Sequence, residues 1–85
     1  MMETNDILSK QIFEIITNQI KNNDPPETKL TYKRLIDSGY SDFETKQLIG
    51  QCVTIEIFNV LKHKMPFDEK RYVKNLQQLP KEPFE

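Results

Sequence analysis

Between Arg34 and Met65 the chain passes one glycine-marked stop and then runs about two dozen residues without a proline. Gly39 can take the left-handed position that ends a helix through Leu35-Ile36-Asp37-Ser38, and Tyr40 completes the turn. Ser41-Asp42-Phe43-Glu44 then matches the S-x-x-E capping box that opens a new helix. At about 100° per residue, Leu48, Ile49, Cys52, Val53, Ile55, Ile57, Val60 and Leu61 spread around well over half of that helix. A helix so apolar needs neighbours on several sides. The spacing therefore predicts an all-α, compact four-helix domain around a long central third helix. Cys52-Val53-Thr54-Ile55-Glu56-Ile57-Phe58 carries a competing pattern, rich in β-branched residues and partly alternating as a strand would be. No turn signal isolates those residues, and helix is the preferred reading.

Three further helical segments flank this one. From about Asp6 to Lys21, Leu8, Ile12, Ile15, Ile16 and Ile20 recur at three- and four-residue steps with Phe13 beside them. Asn22-Asn23 ends that stripe, because Asn tolerates the left-handed region. Asp24-Pro25-Pro26-Glu27 reads as the start of a second helix, with Asp24 as N-cap and Pro25 at N1. This helix is expected to reach about Ser38, turning Leu30, Leu35 and Ile36 inward. The fourth follows Pro66-Phe67-Asp68, with Asp68 as cap and Phe67 able to staple onto Tyr72. Its short apolar face is Tyr72, Val73 and Leu76, closed by Leu79 before Pro80. Residues 1–80 are expected to form one domain and residues 81–85 a mobile tail.

With 85 residues, the chain can bury roughly 60–65% of the surface that its unfolded form exposes, enough to fold with little surplus. No alanine is present, and nine isoleucines and seven leucines supply the apolar mass, so the helices must depend on packing rather than on intrinsic propensity. A net charge of −1 speaks against a dedicated nucleic-acid binder or a basic membrane-surface protein. No apolar run approaches the roughly 18 residues of a membrane span. The opening residues lack the basic and apolar regions of a secretory signal, and Cys52 is the single cysteine, so a cytoplasmic, reducing setting is expected.

Glu56 is the side chain most in need of explanation, since helical geometry puts it inside the apolar arc. A carboxylate there must be paired, hydrogen-bonded or neutral. Cys52, Glu56, Asn59 and His63 form a polar line at steps of four, three and four. One reading makes Glu56 the centre of a small enzyme or ligand site with Arg34, Tyr32, Asn59 and His63. The plainer one pairs it with Arg34, Tyr32 or Lys33 to hold the second helix against the third. Carboxylate-bridged metal bundles need Glu-x-x-His, and here Asn59 stands at that position. With one His and one Cys, neither a metal nor a cofactor is expected. His63, between Lys62 and Lys64, suits a helix C-terminus electrostatically. Cys52 has no basic neighbour at helical spacing and reads as an inert thiol.

The turn around Gly39 has two relatives in pattern. A DNA-binding helix-turn-helix also places Gly and then a cap there, but its recognition helix here would open with Asp42 and Glu44, so nucleic acid is an unfavoured partner. The Leu35, Gly39, Tyr40 turn followed by Glu44 and Leu48 resembles the ubiquitin-associated three-helix module. That family has a short middle helix, whereas this one continues through Leu61. Over Pro25 to Pro80, the residues Pro25-Pro26-Glu27, Thr31-Tyr32, Arg34-Leu35, Gly39-Tyr40-Ser41, Glu56-Ile57, Phe67-Asp68, Tyr72 and Leu79-Pro80 look like those of a family of short bacterial all-helical proteins of uncharacterised function. The resemblance implies four helices and brings no reaction with it.

The functional expectation is a non-enzymatic interaction or accessory module, contacting a protein partner or another copy of itself. Its motive is an apolar arc on the third helix too wide for three short neighbours to cover. Exposed aromatics anchor interfaces, and Tyr32, Tyr40, Phe43 and Phe58 are the expected contact face.

Overall fold

The computed structural model describes residues 2–81, with side chains described from residue 9 onward. The side chain of Leu8 in the first apolar stripe and the tail beyond Lys81 lie outside what is described. Among those described, the chain forms four α-helices and no strand: α1 (Met2–Asn22), α2 (Pro26–Asp37), α3 (Asp42–His63) and α4 (Glu69–Gln78). Residues 52–58 are unbroken helix, so the all-α fold holds and the strand reading falls.

Punctuation in the sequence sets the element ends, with one correction. Asn23 takes φ 53° after α1. The start of α2 slips by one residue from the expected cap: Pro25, not Asp24, is the N-cap, at φ −74° and ψ 150°, and no side chain caps the helix. The reason is steric, because Pro26 disfavours the α region for the residue before it and so forces Pro25 to be extended. Gly39, at φ 106°, ends α2 in a Schellman turn: its N–H donates to Ile36 O (3.0 Å) and the Tyr40 N–H to Leu35 O (3.1 Å). The capping box forms in full, with Glu44 N donating to Ser41 Oγ and Ser41 N to Glu44 Oε1, each at 3.0 Å. At α4, Asp68 accepts from Arg71 N (3.1 Å) and the Phe67 ring packs edge-on to Tyr72 at 5.4 Å between centroids.

The core consists of Ile12 and Ile16 from α1, Leu35 from α2, Ile49, Cys52 and Val53 from α3, and Tyr72, Leu76 and Leu79 from α4 and its end. Helix α3 touches the other three, but so does α2, so the central role is shared between them. A Cβ at Gly50 would stand 3.2 Å from Ile12 Cγ2; its absence lets α1 lie close on α3.

Inward assignments fail at Leu30, Val60 and Leu61, and Ile15 of the α1 stripe is exposed too. Leu30 is 65% exposed, because the buried face of α2 runs through Thr28, Thr31 and Leu35. The threonines bring hydroxyls inward that an apolar count overlooks. Val60 and Leu61 are also exposed, Leu61 by 75%. Helix α3 is roughly 33 Å long and outruns α2 and α4, at roughly 15–18 Å; only α1, at roughly 32 Å, matches it.

Candidate functional site

Glu56 is fully buried, and its carboxylate is saturated by one neighbouring segment. Arg71 donates from Nε to Oε2 (2.6 Å) and from Nη2 to Oε1 (3.0 Å), and the Asp68 N–H adds a third bond to Oε1 (2.9 Å). The expected pairing with Arg34, Tyr32 or Lys33 is therefore wrong: the acid holds α4 on α3 rather than α2 on α3. Helical periodicity showed that Glu56 turns inward. It could not show that a helix whose cap, Asp68, lies twelve residues later would bring its first turn over it. The two-pronged contact from a planar guanidinium keeps Arg71 ionised above its ordinary range, the hydrogen bond to Glu56 being the main cause. Arg71 is itself partly in water.

Arg34 serves the opposite end of the same helix. Its Nη1 donates to Leu79 O (2.8 Å) and its Nη2 to Leu76 O (3.0 Å), supplying donors to carbonyls at the end of α4. Helix α4 thus has an anion under its N-terminus and a cation at its C-terminus, the two signs its macrodipole favours.

The remaining residues of the proposed cluster lie elsewhere. Tyr32 donates its hydroxyl to Asp42 at the start of α3. That bond lifts the phenol above its ordinary pKa and, together with Lys46 at 3.4 Å, lowers Asp42. Asn59 donates Nδ2 to Ile55 O (2.9 Å) within its own helix, and His63 is exposed with its ring edge-on to Phe58. Glu56, Arg34, Tyr32, Asn59 and His63 therefore do not converge. Asp42 kept anionic at the head of α3 also presents the wrong sign to a phosphate backbone.

A polar knot that the sequence reading missed joins α1, α2 and α4. Thr28 Oγ1 and Tyr72 Oη each donate to Gln19 Oε1 at 2.7 Å. Tyr72 is fully buried, and burial pushes its hydroxyl up to about 12. Cys52 behaves alike: burial first, then the Glu56 charge, raise its thiol to about 12 and leave it unreactive. No cluster of three or more His, Cys, Asp or Glu able to hold a metal occurs among the described residues.

Leu30, Met65 and Phe67 are exposed singly, whereas the outer face of α3 carries exposed apolar side chains along its length. Phe43 (58%), Phe58 (52%) and Leu61 lie exposed along it, with Gln47 and Thr54 between them. Beside its first half runs an open groove of about 910 Å³ against α1, lined by Ser9, Phe13, Phe43, Leu48, Gln51 and Thr54 among others. Glu56 takes no part in that groove. Of the expected contact residues, Phe43 and Phe58 are on this face, while Tyr32 and Tyr40 are half-buried against the core. No helix among the described residues is long and apolar enough to cross a membrane. No family model, curated protein or solved structure matches the chain.

Proposed function

We propose that this protein is a non-enzymatic interaction module that contacts a protein partner, or another copy of itself, through the outer face of α3. The observation that carries the reading is one helix face with Phe43, Phe58 and Leu61 in water, beside a buried acid already satisfied by its own fold. Aromatic and aliphatic anchors exposed in a row lose water on docking and supply most of an interface's affinity. The Glu56-centred enzyme has less support, because a carboxylate accepting three hydrogen bonds is neither a free base nor a ligand waiting for substrate. A lone thiol kept neutral in the core suits a reducing compartment, and we place the protein in the cytoplasm, as part of the bacterial helical family that its turns resemble.

The test is a Phe58→Lys/Leu61→Lys variant. The expected outcome is an unchanged circular-dichroism spectrum, with stability within about 0.5 kcal/mol of the parent, and loss of every protein contact that the parent makes in pull-down and light scattering. Equal binding by parent and variant would refute the proposal.

A further inference from the structure

The outer face of α3 is complementary to itself. Phe43 and Leu61 stand nine residues either side of Cys52, and Glu44 and Lys62 nine residues either side of Val53. Eighteen residues make about five full turns, so each pair shares one line along the helix, the second line about 100° round from the first. Between the lines lie Gln47, Gln51, Thr54 and Phe58. A two-fold axis across the middle of α3 would turn the helix end for end. Phe43 would then meet Leu61 of the second copy, and Glu44 would meet Lys62, each pair occurring twice.

From this symmetry we infer that the occupant of the face is a second copy of the chain, packed as an antiparallel α3–α3 pair; the inference rests on the interaction reading above. The chemistry at both ends agrees with it. Glu44 uses Oε1 for its own cap, leaving Oε2 free to accept. Lys62 lies over the Phe58 ring at 5.4 Å and has no acidic partner among the described residues. Antiparallel packing also sets the negative start of one α3 against the positive end of the other, which is the favourable sense for both charges and dipoles. The two pairs centre one residue apart, so an axis between Cys52 and Val53 leaves each about 1.5 Å out of step along the helix, within the reach of these side chains. A head-to-tail or parallel pairing would set Glu44 beside Glu44 or leave the leucines in water. A seam of two helices about 27 Å long is small for an interface, so the dimer is weak, forming in the micromolar range and above.

Sedimentation equilibrium of the full chain from 10 µM to 1 mM (roughly the span over which weak pairs form) reads the mass directly. The expected result is a rise from 10.1 kDa toward twice that value. Lys62→Glu should weaken the association at least about tenfold, and adding Glu44→Lys should restore it. Because Glu44 also caps α3, Leu61→Lys, which touches no cap, provides a second break in the same seam, with circular dichroism checking the fold of each variant. A monomer at 1 mM, or a dimer indifferent to both Lys62→Glu and Leu61→Lys, overturns the antiparallel pair. A monomeric parent that still captures another protein through Phe58 and Leu61 ends self-pairing and leaves the interaction reading standing. If the parent neither associates nor captures, both fall.

Discussion

Helix α4 and the outer face of α3 invert the usual distribution of side chains, in opposite directions. Under α4 the chain buries a full charge, Glu56, and answers it with Arg71 and the Asp68 N–H; at its other end Arg34 caps two carbonyls. On α3 the chain leaves Phe43, Phe58 and Leu61 largely in water, with Phe43 edge-on to Phe13 and Phe58 edge-on to His63 beneath Lys62. Both arrangements cost free energy relative to a plain apolar interior and polar exterior. In the first, the cost is offset inside the molecule, which marks it as structural. In the second it stays open, and that open face is what the proposed interface rests on.

The largest expected effect separates two leucines. Leu76, fully buried in α4, should lose about 3 kcal/mol of stability on substitution by alanine, through lost apolar burial and the cavity left behind. Leu61→Ala should change stability by no more than about 0.5 kcal/mol. Urea unfolding of both variants checks the contrast. Equal losses would mean that the end of α3 is part of the core, and the case for an interface there would fail.

That contrast also shows what could be read in the chain before any coordinates. Gly39, the Ser41–Glu44 box and the Phe67–Tyr72 staple were legible because each acts within four or five residues, where geometry depends on local backbone alone. The inward turn of Glu56 was legible for the same reason. Its partner was not, since the choice between Arg34 and Arg71 depends on how two helices dock, and periodicity carries no information on that. Thr28 and Gln19 were missed because a polar residue on an inward face gives no apolar signal. Leu61 was misplaced because the length of α3 was right while the reach of its neighbours was not known.

Alkaline pH offers the next largest effect, and it acts on the interior only. The Cys52 thiol and the Tyr72 phenol are held neutral up to about 12, above their ordinary values of roughly 9 and 10. In the unfolded chain these groups lose their protons first, so between about pH 9 and 12 the folded form binds more protons than the unfolded one. Stability should then be full below about pH 9 and fall as pH rises through that window, by roughly 2 kcal/mol for Tyr72 alone. Thermal melts at pH 8, 10 and 11 read the slope. Tyr72→Phe, which removes the titrating hydroxyl along with one of the bonds to Gln19, should start less stable and lose less with pH. A parallel decline in parent and variant would place the alkaline sensitivity elsewhere.

The two ends of α4 provide the finest comparison. Glu56→Gln keeps the shape and one acceptor for the Asp68 N–H but removes the charge facing Arg71. The expected loss is about 2 kcal/mol, that of weakening charge-assisted bonds to a buried group, and less than for a sealed ion pair because Arg71 can turn to water. Arg34→Met keeps the side-chain bulk and leaves two carbonyls to the solvent. Arg34 is exposed, so the loss should stay below about 1 kcal/mol. Hydrogen exchange at α4 separates the cases further: Glu56→Gln should loosen the amides from Asp68 to Tyr72, and Arg34→Met should affect those near Leu79. If Arg34→Met proved the costlier change, α4 would be held from its C-terminus, and the buried acid on α3 would need another reason to be there.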